Sequence, residues 1–263
     1  AGQQFYAPDL GELAEAQAET AGQGSAAERV LLERLNLALE TLPSLCPGDR
    51  ERVLEVLESI TRGQEMDLIR FEKASAERIV AFATDDELQE YTYCVAGCVG
   101  EFWTKMCLAH LIKDEGVDTL PLLTNSIRFG KGLQLVNILR DLPRDLRLGR
   151  CYMPATGLQE LGLSPEDLLD PGVMLRFRPL YDKYLDQANE QLAAGWDYTN
   201  ELPRRQVRVR LACAWPILIG MRTLSLLRTD SDTRILSRPQ VRVTDGERVT
   251  VHLGDQVPIP NTT

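Results

Sequence analysis

Gly132-Leu-Gln-Leu-Val-Asn-Ile-Leu-Arg-Asp-Leu-Pro-Arg-Asp-Leu-Arg-Leu-Gly-Arg-Cys-Tyr-Met-Pro154 sets two carboxylates one helical turn apart inside an apolar repeat. On a helix, Asn137, Asp141 and Asp145 fall at i, i+4 and i+8 along one face, with Gln134 about a turn earlier. Two carboxylates at that spacing repel unless a cation bridges them. Hard oxygen donors so placed suit Mg²⁺, which takes one or two carboxylates, several waters and substrate phosphates. Lys131, Arg140, Arg144, Arg147 and Arg150 flank the face, and arginine forks match phosphate oxygens. The bare spacing by itself more often marks a solvated, ion-paired helix face. Pro143 removes the amide that would bond the carbonyl of Leu139, which predicts a kink.

Working outward, the chain has 263 residues, enough for one large domain or two small ones. A net charge of -10 argues against nucleic acid as a partner. It also means that an anionic substrate needs a local basic cluster or a recruited cation. Six cysteines are scattered without a C-x-x-C pair, and His110 and His252 are the two histidines. A zinc site is therefore not expected, and the cysteines read as small apolar core residues in a reducing compartment. The opening residues lack a signal-peptide pattern. The longest apolar run, residues 211–221, contains Pro216 and is short of the ~20 residues a spanning helix needs. A cytoplasmic protein is expected, membrane-associated at most through its surface.

Three segments differ in pattern. Residues 1–24 are rich in Ala, Gln, Glu and Gly and carry little apolar periodicity. Residues 25–228 are helical in grammar, beginning with Ser25 and Glu28 as a capping box and Val30, Leu31, Leu35, Leu39 and Leu42 at helical spacing. Asp49 can cap a second helix. Asp85 and Asp86 open a third that is apolar nearly all round, as befits the middle of a bundle. Its Gly97 and Gly100 cost about 1 kcal/mol each against Ala, which close helix approach or a cavity wall would offset. No strand is expected before Arg228. In residues 229–263, Val241, Val243, Val249, Val251 and Leu253 alternate with polar residues around Asp245-Gly246, a hairpin signature.

The aspartate-bearing run from Leu133 to Pro154 resembles the second aspartate-rich motif of squalene and phytoene synthases. Tyr91-Thr-Tyr-Cys-Val-Ala-Gly-Cys-Val-Gly100 resembles another of their signatures, and Gly63-Gln-Glu-Met-Asp67 fits the end of an earlier family helix. Arg210-Leu-Ala-Cys-Ala-Trp-Pro-Ile-Leu-Ile-Gly-Met-Arg-Thr-Leu224 looks more like bacterial squalene synthases than phytoene synthases. The resemblance covers about residues 24–228. It implies an all-α isoprenoid-synthase-type bundle around an apolar cavity. The implied activity is that of a prenyltransferase of the squalene synthase type. Two farnesyl diphosphates condense head to head through presqualene diphosphate with Mg²⁺, and NADPH reduces the rearranged cation to squalene. Carried over by motif, Asp141, Asp145 and Asn137 are metal ligands, Gln134 lines the site, and Arg140, Arg150 and Tyr152 contact diphosphate. Cys94 stands where some squalene synthases have a catalytic tyrosine, so that role is vacant or falls to Tyr91 or Tyr93. Val95 and Gly97 belong to the cavity wall. A lipid product also implies peripheral membrane contact.

Two stretches depart from the family pattern. Its first aspartate-rich motif would precede the Glu28-Arg-Val-Leu-Leu-Glu-Arg-Leu35 helix, where only Glu15-Ala-Gln-Ala-Glu19 offers two carboxylates at i, i+4. The flanks of that stretch do not match, so turnover is expected to be impaired. An inert prenyl-diphosphate-binding homologue is the alternative. Residues 232–260 resemble a strand-rich piece of the secretins, which makes a secretion-channel fragment a further alternative.

Overall fold

A computed structural model describes Val30, residues 34–112 and residues 116–229. Eight α-helices run through these residues: α1 (Leu35–Thr41), α2 (Pro47–Arg70), α3 (Asp85–Thr92), α4 (Cys98–His110), α5 (Thr119–Arg147), α6 (Ala155–Glu160), α7 (Met174–Glu201) and α8 (Val207–Thr229). A π-helical turn, Tyr93–Gly97, joins α3 to α4. The expected all-α bundle is present. Glu15, Glu19, the 1–24 segment and the β-patterned tail beyond Thr229 lie outside the described residues.

Three local expectations are corrected. A parallel pairing of β1 (Val80–Ala81) with β2 (Arg150–Cys151) exists well before Arg228; two-residue strands are too short to leave a periodic signal. The second helix starts at Pro47, so Asp49 sits in its first turn while Cys46 occupies the cap position. The apolar run at 211–221 belongs to a 23-residue helix, α8, which by length and composition is able to cross a membrane.

The long helix α5 is the axis of the bundle. Its Leu135, Leu139, Leu142 and Leu146 are buried in one cluster with Tyr181, Leu185, Ala188 and Leu192 of α7. On its other side, the glycines that weaken helix propensity permit backbone contact. A Cβ on Gly100 would lie 2.1 Å from the carbonyl oxygen of Ser126, and one on Gly130 would lie 2.2 Å from that of Ala96. The offset expected for Gly100 is thus close helix approach.

Pro143 lies within α5, which continues to Arg147. The carbonyl of Leu139, deprived of its amide partner, accepts a hydrogen bond from the buried Tyr181 hydroxyl at 3.1 Å. A side chain from α7 thus supplies the donor that the proline lacks, as buried carbonyls require. Tyr181→Phe is expected to destabilise the protein by about 1–2 kcal/mol by orphaning this carbonyl. Chemical denaturation in the Pro143→Ala background, where the amide is restored, is expected to show a clearly smaller loss. Equal losses in both backgrounds would contradict this account.

After α5 the chain reverses at Gly149, whose φ of 77° suits glycine. Its carbonyl accepts from Val80 N–H at 2.8 Å. This reversal returns Arg150 and Tyr152 beside the carboxylates of α5 and α2.

Candidate active site

Asp67 stands in the last turn of α2, across from the end of α5. Arg150 Nη1 donates to its Oδ2 at 2.8 Å, and the Tyr152 hydroxyl donates to its Oδ1 at 2.7 Å. The Gly63–Asp67 motif contains Asp67, which is not among the expected site residues. The available signal was its place at i+4 from Gly63, where a Cβ would meet Cys94 Cβ and Val95 Cγ1 at 2.8 Å. The glycine brings α2 against the π turn and so carries Asp67 inward.

Asp141 and Asp145 share the expected face of α5. Arg140 grips Asp141 in a bidentate pair, Nε to Oδ1 at 2.9 Å and Nη2 to Oδ2 at 2.7 Å. Burial, reinforced by the Asp141 and Asp67 carboxylates and opposed by Arg144 and Arg150, pushes Asp145 up to about 6. Tyr91 faces the same cluster. Its ring stacks on Tyr152 with centroids 5.4 Å apart, and burial together with Asp67 pushes its hydroxyl up to about 12. The Tyr152 hydroxyl is also raised, by burial, Tyr91 and Asp67. Phe71 and Phe82 complete a four-ring aromatic wall, and the Arg150 guanidinium lies 5.6 Å from the Phe71 ring centroid.

Asn137 and Gln134 continue along α5 and line an apolar cavity of about 380 Å³ between α4, α5 and α8. Val95, Val99, Trp103, Phe129, Leu133 and Pro216 contribute to its walls. That volume lies in the range of small-molecule sites. The structure therefore brings together Asp141, Asp145, Arg140, Arg150, Tyr152 and Tyr91, with Asn137, Gln134 and Val95 leading into the cavity.

Two expected residues fall elsewhere. Tyr93 donates its hydroxyl to Glu101 Oε2 at 3.1 Å, in a polar recess with Arg52, Glu55 and Lys105. Tyr91 and Tyr93 are two residues apart and project from different sides of the helix, so they cannot serve one site together. A Cβ on Gly97 would lie 3.2 Å from Lys131 Cγ and 3.3 Å from Ile127 Cγ2. This glycine supports packing against α5 rather than lining the cavity. Lys131 is half-buried there, and burial lowers its ammonium pKa against the pull of Asp85.

Among the described residues, no three His, Cys, Asp or Glu side chains form a metal cage. The donors do fit Mg²⁺ held partly by substrate. They are carboxylate oxygens on one helix face, and Asp145 is held in a field of two further carboxylates that a cation would relieve. Because burial and two neighbouring carboxylates raise Asp145 to about 6, Mg²⁺ bound there would release protons near that pH and fewer as pH rises above it. Calorimetric titration in buffers of different ionisation enthalpy measures this, and Asp145→Asn removes it. The folded state binds the extra proton between the ordinary carboxylate value and about 6. Stability from this group therefore falls as pH rises through that window.

A family model described as squalene/phytoene synthase matches residues 8–247. The match begins before residue 25 and ends inside the segment read as secretin-like. Among curated proteins, the chain is 29% identical over 187 residues to a bifunctional lycopene cyclase/phytoene synthase of Arthroderma gypseum, covering 70% of this chain and 31% of that one. It is 27% identical over 189 residues to chloroplastic phytoene synthase 2 of Solanum lycopersicum, covering 72% and 54%. The chain thus spans about a third to a half of the length of these relatives. Among solved structures, TcSQS with the ligand BPH1237 aligns with a TM-score of 0.64 at 21% identity, covering 85% of this chain and 61% of that one. Squalene synthase HpnC from Alicyclobacillus acidocaldarius aligns with a TM-score of 0.53 at 21% identity, covering 86% and 76%. The curated relatives are named for phytoene and the solved structures for squalene, so what they share is the family and the fold. With residues 8–247 matched and the bundle shared, this chain belongs to the squalene/phytoene synthase family.

Proposed function

We propose that this chain is a prenyltransferase that joins two prenyl diphosphates head to head. The observation that carries this reading is the continuity of charge and cavity along α5. Asp141 lies one turn from Asn137, where the apolar cavity begins. A prenyl diphosphate has the same layout, a charged head on an apolar tail. Asp141 and Asp145, with Asn137 beside them, would hold Mg²⁺, which when bound neutralises charge on a departing diphosphate. Arg140 and Arg150 supply guanidinium forks for the phosphate oxygens. The aromatic wall of Tyr91, Tyr152, Phe71 and Phe82 closes the head end, and the cavity keeps water from a cationic chain.

Farnesyl diphosphate, passing through presqualene diphosphate to squalene, is the proposed substrate, with NADPH as reductant for that product. The names of the curated relatives favour a second reading, in which C20 chains give a phytoene-type product without reduction. Incubating the full chain with C15 or C20 diphosphate, Mg²⁺, and with or without NADPH, followed by product extraction, separates the two. Mg²⁺-dependent product formation from one of the two diphosphates is expected. Diphosphate binding without any product would instead favour the inert homologue. No Mg²⁺-dependent binding of a prenyl diphosphate analogue would overturn the assignment.

A further inference from the structure

The apolar cavity has a head end and a far end. Its α5 wall runs from Asn137, one turn from Asp141, back to Ser126. The π turn and α4 run the other way. Ala96 lies against Gly130 and Gly100 against Ser126, so Val95 stands toward the carboxylates and Trp103 away from them. One turn past that far end both helices enter dry core, where Leu122 of α5 and Cys107 of α4 are buried with Ile112 and Leu202. Tyr198 of α7 and Cys213 of α8 belong to this core cluster and also line the cavity. Tyr198 is much the larger of the two, so its ring marks where cavity ends and core begins.

Tyr198 is held as a fixed stop. It is 1% exposed, and its hydroxyl shares a hydrogen bond of 3.1 Å with that of the fully buried Thr104. Thr104 is tied in turn to the Gly100 carbonyl at 2.9 Å. The Phe129 ring lies 6.4 Å from the Tyr198 ring. Phe129 reaches that place because Gly195 has no side chain; a Cβ there would lie 2.7 Å from the Phe129 ring. Rings packed in this way do not give way to a ligand without cost.

The depth above this stop has a chemical meaning. From Asn137 to Ser126 the α5 wall rises about 16 Å, at about 1.5 Å per residue. An extended isoprene unit advances by four carbon–carbon bonds, about 5 Å, so three units span about 15 Å and four about 20 Å. Three units fit between Asn137 and the floor. A fourth would meet Tyr198, or would turn out through the flank where Val99 and Trp103 are exposed and leave apolar surface in water.

On the reading of this cavity as the seat of a prenyl tail, we propose that Tyr198 is a specificity-determining residue that ends the tail at three isoprene units and so selects C15 over C20. The test is calorimetric titration of the full chain, with Mg²⁺, against the thiolodiphosphates of farnesol and geranylgeraniol, which keep the charge and resist ionisation. Wild type is expected to favour the C15 ligand by at least about tenfold. Tyr198→Ala is expected to move that ratio toward C20 by at least about tenfold. Tyr198→Leu is expected to move it the same way by less, and Tyr198→Phe, which keeps the ring, to leave it unchanged. Thr104 has its bond to Gly100 in every variant. Lost packing alone weakens both ligands alike, so the ratio separates a specificity role from a structural one. If Tyr198→Ala fails to fold by circular dichroism, Tyr198→Leu decides. A wild type that binds C20 as tightly as C15, or a ratio that the folded variant leaves unmoved, would overturn the proposal while leaving the prenyl diphosphate reading in place. Binding of neither ligand would overturn that reading, and the proposal with it.

Discussion

Asp145→Asn is expected to weaken Mg²⁺-dependent binding of a farnesyl diphosphate analogue by at least about tenfold and to cut turnover by about 10²–10³. The substitution keeps size and hydrogen bonding while removing the charge that a metal needs. Asp145 differs from an ordinary surface carboxylate because burial and two neighbouring carboxylates already oppose its ionisation. Removing it therefore relieves strain in the free protein, and the variant is expected to be slightly more stable above pH 6 than wild type. Loss of binding together with unimpaired stability separates a functional role from a structural one. Asp141→Asn is expected to weaken binding similarly, and it also breaks the bidentate pair with Arg140. Calorimetric titration with and without Mg²⁺ reads both effects, and unchanged affinity in either variant would remove that residue from the metal site.

Gly130→Ala is expected to lower stability by about 3 kcal/mol, an overpacking cost at the upper end of the usual range. Helix propensity alone predicts the opposite sign, a gain of about 1 kcal/mol. The added methyl would sit 2.2 Å from the Ala96 carbonyl oxygen, which is main chain and cannot rotate away. The helices would have to separate along the wall of the cavity, since Ala96, Gly100, Ser126 and Gly130 all line it. A fall in Tm of about 10 °C is expected by thermal denaturation. A rise in Tm would mean that the π-helical turn and α5 are not in backbone contact at Gly130.

The face bearing Asn137, Asp141 and Asp145 was legible because helical periodicity alone places it. The all-α bundle was legible from the same periodicity, strengthened by the apolar third helix. The motif leaves Tyr91 and Tyr93 as alternatives, and two-residue spacing separates them around a helix. Asp67 was visible only as part of a glycine-plus-acid helix end, and its partners lie 83 and 85 residues away. Pro143 predicted a broken helical bond; the donor that replaces it comes from Tyr181, 42 residues on. Such repairs are tertiary and leave no local pattern. The helical spacing of residues 207–227 matches α8, whose length the uninterrupted apolar run at 211–221 understates because its arginines and Pro216 fit within its turns.

The ion pairs of the site carry a consequence for the order of binding events. In the free protein the groups suited to metal and to phosphate neutralise one another, Arg140 with Asp141 and Arg150 with Asp67. A cation arriving alone must compete with Arg140 for Asp141, and a polyanion arriving alone must compete with two carboxylates for the arginines. Arriving together, each ligand takes the partner that the other has released. If the proposed function holds, metal and diphosphate would be linked as heterotropic effectors, and by thermodynamic reciprocity each would tighten the other by the same factor. Such exchange disfavours stray ions singly and admits the metal–diphosphate pair as a unit.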